Sequence, residues 1–203
     1  MQLFAADLDG NGSIDPIPFY YIMGDDGQRH AYPAINRGQL SEQVPGVKKK
    51  FLYHHDYAHA TFADLFKGKE DGLLKLSCDE TRSCFLENLG NGQFRKHPLP
   101  NEAQFGPVNA ITCADIDNDG YTDLLLAGNE YQADVMTGRY DALYGRLLKG
   151  GRGKTFKAVP LAESGFILNG DVKDLAMINA AAGQRIVLAA VNNDSLRAFR
   201  IRL

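Results

Sequence analysis

The chain has 203 residues, 44% of them hydrophobic, and a formal net charge of −3 from 22 Lys and Arg against 25 Asp and Glu. That content supports a globular core and lacks the basic excess that nucleic acid would demand as a partner. No apolar run is long enough for direct membrane insertion, no signal pattern opens the chain, and three cysteines make neither a disulfide scaffold nor a zinc site.

The start, "MQLFAADLDG", enters a strand and an acidic loop almost at once, which predicts a segment of a larger protein whose signal lies outside this chain. In "AADLDGNGSIDP", Asp7, Asp9, Asn11 and Asp15 stand at positions 1, 3, 5 and 9 of a loop, and Ser13 offers its carbonyl at position 7. Gly12, at position 6, allows the backbone conformation that the bend needs. Crowded carboxylates repel one another unless a cation lies among them, and calcium takes six to eight oxygen ligands from such sets. An EF-hand is excluded, because its bidentate Glu at position 12 is here Pro18. Pro16 and Pro18 are expected to interrupt the strand that follows.

An insertion is expected over about residues 25–72. Within it, "INRGQLSEQVPG" reads as a short helix ending at Pro45. "VKKKFLYHHDYAHATFADLFKG" has helical periodicity, with Phe51, Leu52, Ala58, Phe62, Leu65 and Phe66 on one face and Gly68 as a stop. His55 and His59 share an i, i+4 spacing close to a zinc pattern, but no third ligand follows, so the reading as margin residues of a packed face is preferred. Lys48, Lys49 and Lys50 read as a solvated helix start. Cys78 and Cys84 flank a turn that a disulfide would close; three free, small apolar residues, counting Cys113, is the preferred reading.

The second acidic loop, "CADIDNDGYTDLLLAGN", is fuller. Asp115, Asp117, Asp119 and Asp123 occupy positions 1, 3, 5 and 9, Tyr121 supplies the carbonyl, and Gly120 sits at position 6. Position 12 is Leu126, and short β-branched and apolar flanks place the loop in a β-hairpin. Two copies with Gly in register predict two calcium sites, the first weaker for having three carboxylates against four. The connection after it, "EYQADVMTGRYDALY", offers Tyr131, Asp134, Arg139, Tyr140 and Asp141 as candidate ligand-binding residues, since long loops on a rigid scaffold carry binding. Local pairing of Arg139 with Asp141, and packing of Tyr140 on the insertion, is the competing account.

Repeats then organise the chain. "FRKHPLP" from Phe94 and "FKAVPLA" from Phe156 lie 62 residues apart, each after a Gly-rich turn. "DLAMINAAAGQRIVLAAVNND" repeats the second hairpin at an offset of about 63 without its carboxylates, so it should bind no metal. Each unit reads as four strands, with the metal loop between the first two and a Gly turn between the last two. Such units stack as β-propeller blades. The fold class expected is mainly β: four-stranded antiparallel blades in an incomplete propeller with a helical insertion in the first. Blade 1 covers residues 1–100, blade 2 residues 101–165, and a partial blade 3 without a metal loop residues 166–203, where "SLRAFRIRL" supplies the third strand.

"FGPVNAITCADIDNDGYTDLLLAGN" resembles an FG-GAP or VCBS repeat, the unit of the calcium-binding propellers of integrin alpha subunits and many bacterial surface proteins. Phe105 and Gly106 match its leading pair, the Asp loop its metal site, and Ala127 and Gly128 its closing small residues. "FLENLGNGQF" and "GRYDALYGRLLKG" resemble a secreted bacterial subgroup related to cartilage acidic protein. The resemblance implies an extracellular, periplasmic or cell-surface protein that is not an enzyme. It would bind a glycan or protein ligand, with a structural role for calcium. The open edges of an incomplete propeller add self-association as an expected partner mode. The alternative is a propeller enzyme, a polysaccharide lyase or metal-dependent hydrolase, which would need an acid, a base and an electrophile gathered on one face.

Overall fold

The computed structural model describes residues 1–24, 26–68, 72–135 and 137–202. Asp25 at the expected start of the insertion, residues 69–71 near its end, Met136 in the connection after the second acidic loop, and Leu203 in the expected last strand lie outside the described residues. Among the described residues strand accounts for 41% and helix for 17%, in antiparallel sheets none of which closes. The chain divides into two compact units, Met1–Thr81 and Arg82–Leu203.

In the first unit, β1 (Gln2–Ala6) runs through the first acidic loop into β2 (Asp15–Met23), and β3 (Arg29–Pro33) returns beside β2. Four short helices follow: α1 (Arg37–Gln43), α2 (Gly46–Lys50), α3 (His54–Ala58) and α4 (Phe62–Phe66). Then β4 (Leu74–Ser77) pairs with the other side of β1, giving the order β3-β2-β1-β4. Asp15, Ile17 and Phe19 alternate inward, the period of a half-buried strand. Phe4, Ile17 and Phe19 form one apolar core with Leu40, Val47, Phe51, Tyr57 and Phe66 of the helical segment.

Three expectations for this unit need correction. First, β2 runs straight through Pro16 and Pro18. The Pro18 carbonyl accepts from Ala34 on the side away from β1, so by alternation both prolines turn their missing N–H groups to that side. On that side β3 ends at Pro33, opposite Phe19, so both prolines stand beyond the β2–β3 ladder. Second, the periodic helical segment is three short helices. Asp56 accepts from the Tyr53 N–H, and Asp64 accepts from the N–H and hydroxyl of Thr61; each starts a new helix and resets its phase. Leu52 and Ala58 therefore fall on exposed positions, while Tyr57 and Ala60 are buried. Third, the Gly-turn hairpin does not supply the third and fourth strands of this sheet, because β3 and β4 already flank β2 and β1. The helical segment lies between β3 and β4.

The second unit opens with that hairpin, β5 (Cys84–Gly90) and β6 (Gln93–Pro98), as a two-stranded ribbon. Next comes a four-stranded meander: β7 (Val108–Ala114), β8 (Asp123–Gly128), β9 (Arg146–Gly151) and β10 (Thr155–Ala158). The one-turn α5 (Leu161–Ser164) leads to a three-stranded meander of β11 (Val172–Asn179), β12 (Arg185–Val191) and β13 (Arg197–Arg200). Strand β8 is buried along its whole length, so "LLLAG" after Asp123 is apolar without interruption. Leu125 and Ala127 pack with Val172, Leu175, Val187 and Ala189 of the next sheet. Leu124 and Leu126 turn to the opposite side, in a cluster that takes in Leu99, Leu148, Phe85 and Phe156.

Side chains of β7 bond the backbone of β11 in the neighbouring sheet at about the spacing of the repeat. Asn109 Nδ2 donates to the Val172 carbonyl at 3.2 Å, and Thr112 Oγ1 to the Leu175 carbonyl at 3.2 Å, each 63 residues on. Asn129, fully buried, pins the same junction. Its amide donates to the Leu143 and Gly170 carbonyls and its oxygen accepts from the Leu143 N–H. Cys78, Cys84 and Cys113 are free thiols.

Candidate metal loops and a polar pocket

The two acidic loops share most of their hydrogen bonds, position for position. In the first, Asp7 accepts from Gly10 and Asn11 with Oδ1 and from Gly12 with Oδ2, at 2.7–3.1 Å. In the second, Asp115 accepts from Asp119 with Oδ1 at 3.1 Å and from Gly120 with Oδ2 at 2.9 Å. Asp9 accepts from Asn11 as Asp117 does from Asp119, and Asn11 accepts from Ser13 as Asp119 does from Tyr121. Gly12 and Gly120 hold φ of 85° and 86°, the left-handed region that position 6 requires. The last carboxylate of each loop is buried: Asp15 accepts from Leu8 N–H at 2.9 Å and Asp123 from Ile116 N–H at 2.8 Å.

This folding gathers oxygen donors. Carboxylate atoms of Asp7, Asp9 and Asp15 lie within 4.8 Å of one another, as do those of Asp115, Asp117 and Asp123. Asp7 Oδ1 accepts from two N–H groups, but an oxygen that accepts from one, such as Asp15 Oδ2 or Asp123 Oδ2, keeps a second lone pair, so the backbone bonds position the carboxylates without exhausting the cluster. Two acidic clusters able to bind a metal ion are thus present, one in each compact unit. Asn11 and Asp119 hold the loop turn through their bonds to position 7; Ser13 and Tyr121 supply the N–H groups for those bonds.

Sequence reasoning missed the groups that reach the second loop from other strands. Lys149 on β9 forms an ion pair with Asp117 Oδ2 and lies 3.2 Å from Asp119 Oδ2. Its ammonium, chiefly by hydrogen bonding, holds the Asp117 carboxyl below its usual range, and the two carboxylates raise the lysine in return. Gly150 N–H donates to the second oxygen of Asp123 at 2.8 Å. Arg185 on β12 donates to the Asp115 and Ile116 carbonyls at 2.6 and 2.9 Å, tying the loop to the following sheet. Alternation along "RLLKGG" puts Lys149 on the solvent side of β9, but only the pairing of β8 with β9 shows that it meets Asp117.

The third hairpin carries no carboxylate in its turn, a short 3-10 segment over Ala181–Gly183. The candidate ligand residues separate. Tyr131 and Arg139 come together, with the guanidinium 4.9 Å from the ring centre. Both line a cavity of about 410 Å3 with Asp171, Asn192, Asn193 and Asp194. Asp171 is buried and pairs with Lys173 at 2.7 Å. Asp134, Tyr140 and Asp141 are exposed and do not line that cavity, and no ion pair joins Arg139 to Asp141 among the described residues. In the first unit, the rings of His55 and His59 are 5.2 Å apart on the surface, and no third ligand joins them among the described residues. No helix among the described residues is long and apolar enough to cross a membrane.

Comparison with family models, with curated proteins and with solved structures returned no match for this chain.

Proposed function

We propose that this chain is a calcium-stabilised segment of a β-propeller of the FG-GAP or VCBS type, acting outside the cell or at its surface as a non-catalytic module that binds a glycan or protein. The observation that carries the reading is the duplicated loop, with matching hydrogen bonds at positions 5 and 6 to the first carboxylate of each. Calcium would be held by Asp7, Asp9, Asn11, Asp15 and the Ser13 carbonyl in one loop. In the other it would be held by Asp115, Asp117, Asp119, Asp123 and the Tyr121 carbonyl. Its part is structural: it neutralises the carboxylates and fixes the turn between two strands.

The polar cavity beside Tyr131 and Arg139 supplies the binding half of the reading, since aromatic and Arg side chains are the usual anchors of recognition. Calorimetric titration of the chelator-treated protein is the first test. Calcium should bind at two sites per chain, and a glycan array probed with the calcium-loaded protein should lose its hits in the Arg139→Ala variant. Absence of any calcium binding removes the structural half. Hits unaffected by Arg139→Ala remove the assignment of the cavity.

A further inference from the structure

The cavity beside Tyr131 and Arg139 is built from internal connections, and none of its lining lies on an unpaired strand edge. One wall is the segment after β8. Its base is closed where Glu130 and Tyr140 exchange N–H to carbonyl bonds of 2.9 and 3.0 Å. That bridge brings Tyr131 and Arg139 together, with the guanidinium over the ring. The other wall is the turn after β12, tied to Asp171. The Asn192 N–H donates to the Asp171 carbonyl at 2.8 Å, and its side-chain amide donates to Asp171 Oδ2 at 3.1 Å.

Charge in this lining is unevenly compensated. Asp171 pairs with Lys173 and Asp194 with Arg197, each at 2.7 Å. Lys173 also reaches Glu130 at 3.3 Å. Hydrogen bonding to Asp171 raises the lysine above its ordinary range, and hydrogen bonding from Arg197 lowers Asp194, so both pairs are ionised and closed. Arg139 has no carboxylate partner among the described residues. Tyr131 covers one face of its guanidinium and leaves the in-plane N–H donors open, the fork that matches a carboxylate bidentately. The side-chain amides of Gln132 and Asn193 also line the cavity and make no hydrogen bond among the described residues. Each offers two donors and an acceptor, the complement of sugar hydroxyls. Val191 is the one aliphatic side chain in the lining.

We propose that this cavity takes an acidic sugar, with the carboxylate of a uronic acid residue on Arg139 and its hydroxyls on the amides of Gln132 and Asn193. The inference rests on the binding role proposed above for the cavity and names the ligand's class; it does not depend on metal binding. At about 410 Å3 the cavity falls within the size range of small-ligand sites. An acidic peptide would bring the same carboxylate, but its other side chains would find only Val191 to pack on, whereas hydroxyls find two open amides. A sulfate ester on a neutral sugar offers similar anionic oxygens without the planar match to the guanidinium fork.

The test titrates the full chain with trigalacturonate, its fully methyl-esterified form, sulfated maltotriose and a triglutamate peptide. Trigalacturonate should bind saturably and about tenfold or more tighter than its ester, because esterification removes the charges and keeps the hydroxyls. Arg139→Ala should bring trigalacturonate down to the affinity of the ester while keeping the parent's melting temperature. Arg139→Lys, which keeps the charge without the fork, should fall between. Equal affinity for acid and ester, both lost in Arg139→Ala, would overturn the acidic class and leave the cavity a glycan site. Trigalacturonate binding that survives Arg139→Ala unchanged would overturn the cavity assignment as well. Tighter binding of sulfated maltotriose would replace the uronate with a sulfate ester, and tighter binding of triglutamate would hand the cavity to an acidic protein segment; either overturns the proposal. So would the absence of saturable binding by trigalacturonate.

Discussion

At the scale of single residues, charge decides how the two loops differ. Four carboxylates against three argue for tighter binding at the second loop, but Lys149 places an ammonium on two of the four. A divalent ion entering there must displace that contact. Lys149→Met should therefore tighten calcium at the second loop by about threefold or more, a modest gain because exposed ion pairs are individually weak. Titration of the variant beside its parent measures it, and unchanged affinity would show that the lysine is a bystander. A second carboxylate gives a pH signature away from the loops. Lys154 first, then His97, hold Glu87 at a pKa of about 2 against an ordinary 4.5. A depressed carboxylate contributes stability that is fully present above its unfolded pKa and is lost as pH falls through the folded one. In chelator, the parent should lose a component of stability between about pH 4.5 and pH 2 that Glu87→Gln lacks. Melting curves across that range compare the two.

At the scale of elements, close approach of backbone sets the next expectation. A Cβ on Gly150 would collide with the Thr122 carbonyl, and its N–H is the bond that fixes the inner oxygen of Asp123. Gly150→Ala should cost about 1–3 kcal/mol, the range for forced overpacking, and should loosen the second loop as well. Chemical denaturation with and without calcium would separate the two effects. The hairpins that carry the loops were legible in sequence because a half-buried strand and a nine-residue acid pattern are both local signals. The 63-residue repeat was legible for the same reason, and bonds from Asn109 and Thr112 cross to the next sheet at about its spacing. Partner choice between strands was not legible. "RHAYP" carries no alternation that announces β3, and "LKLS" none that sends β4 to the free side of β1; both are settled by which edge the preceding strands leave open. The broken helical segment was hidden because its capping acids, Asp56 and Asp64, also fit an uninterrupted helix surface. Lys149 and Arg185 were hidden because they reach the loop from strands that only pairing brings near.

At the scale of the whole molecule, each compact unit holds one acidic loop, between β1 and β2 in the first and between β7 and β8 in the second. The third hairpin keeps the strands and drops the carboxylates, so two loops, not three, should answer to calcium. An ion bound to the folded state alone stabilises by about 2.7 kcal/mol at a concentration one hundred times its dissociation constant. That linkage should act locally. Asp7→Asn should speed amide exchange in β1 and β2 and leave β7 and β8 at the parent's rate; Asp115→Asn should do the reverse. Chelation of the parent should loosen both hairpins together and leave β11 and β12 unchanged, because the turn over Ala181–Gly183 has no carboxylate to offer. Hydrogen exchange resolved by segment reads all three outcomes in one experiment. If β11 and β12 loosened as much as β7 and β8 on chelation, Arg185 would be the route, since it ties β12 to the carbonyls of Asp115 and Ile116. Arg185→Ala would then restore the difference. Loosening that persisted in Arg185→Ala would refute a local role for the loops and make the metal a global clamp.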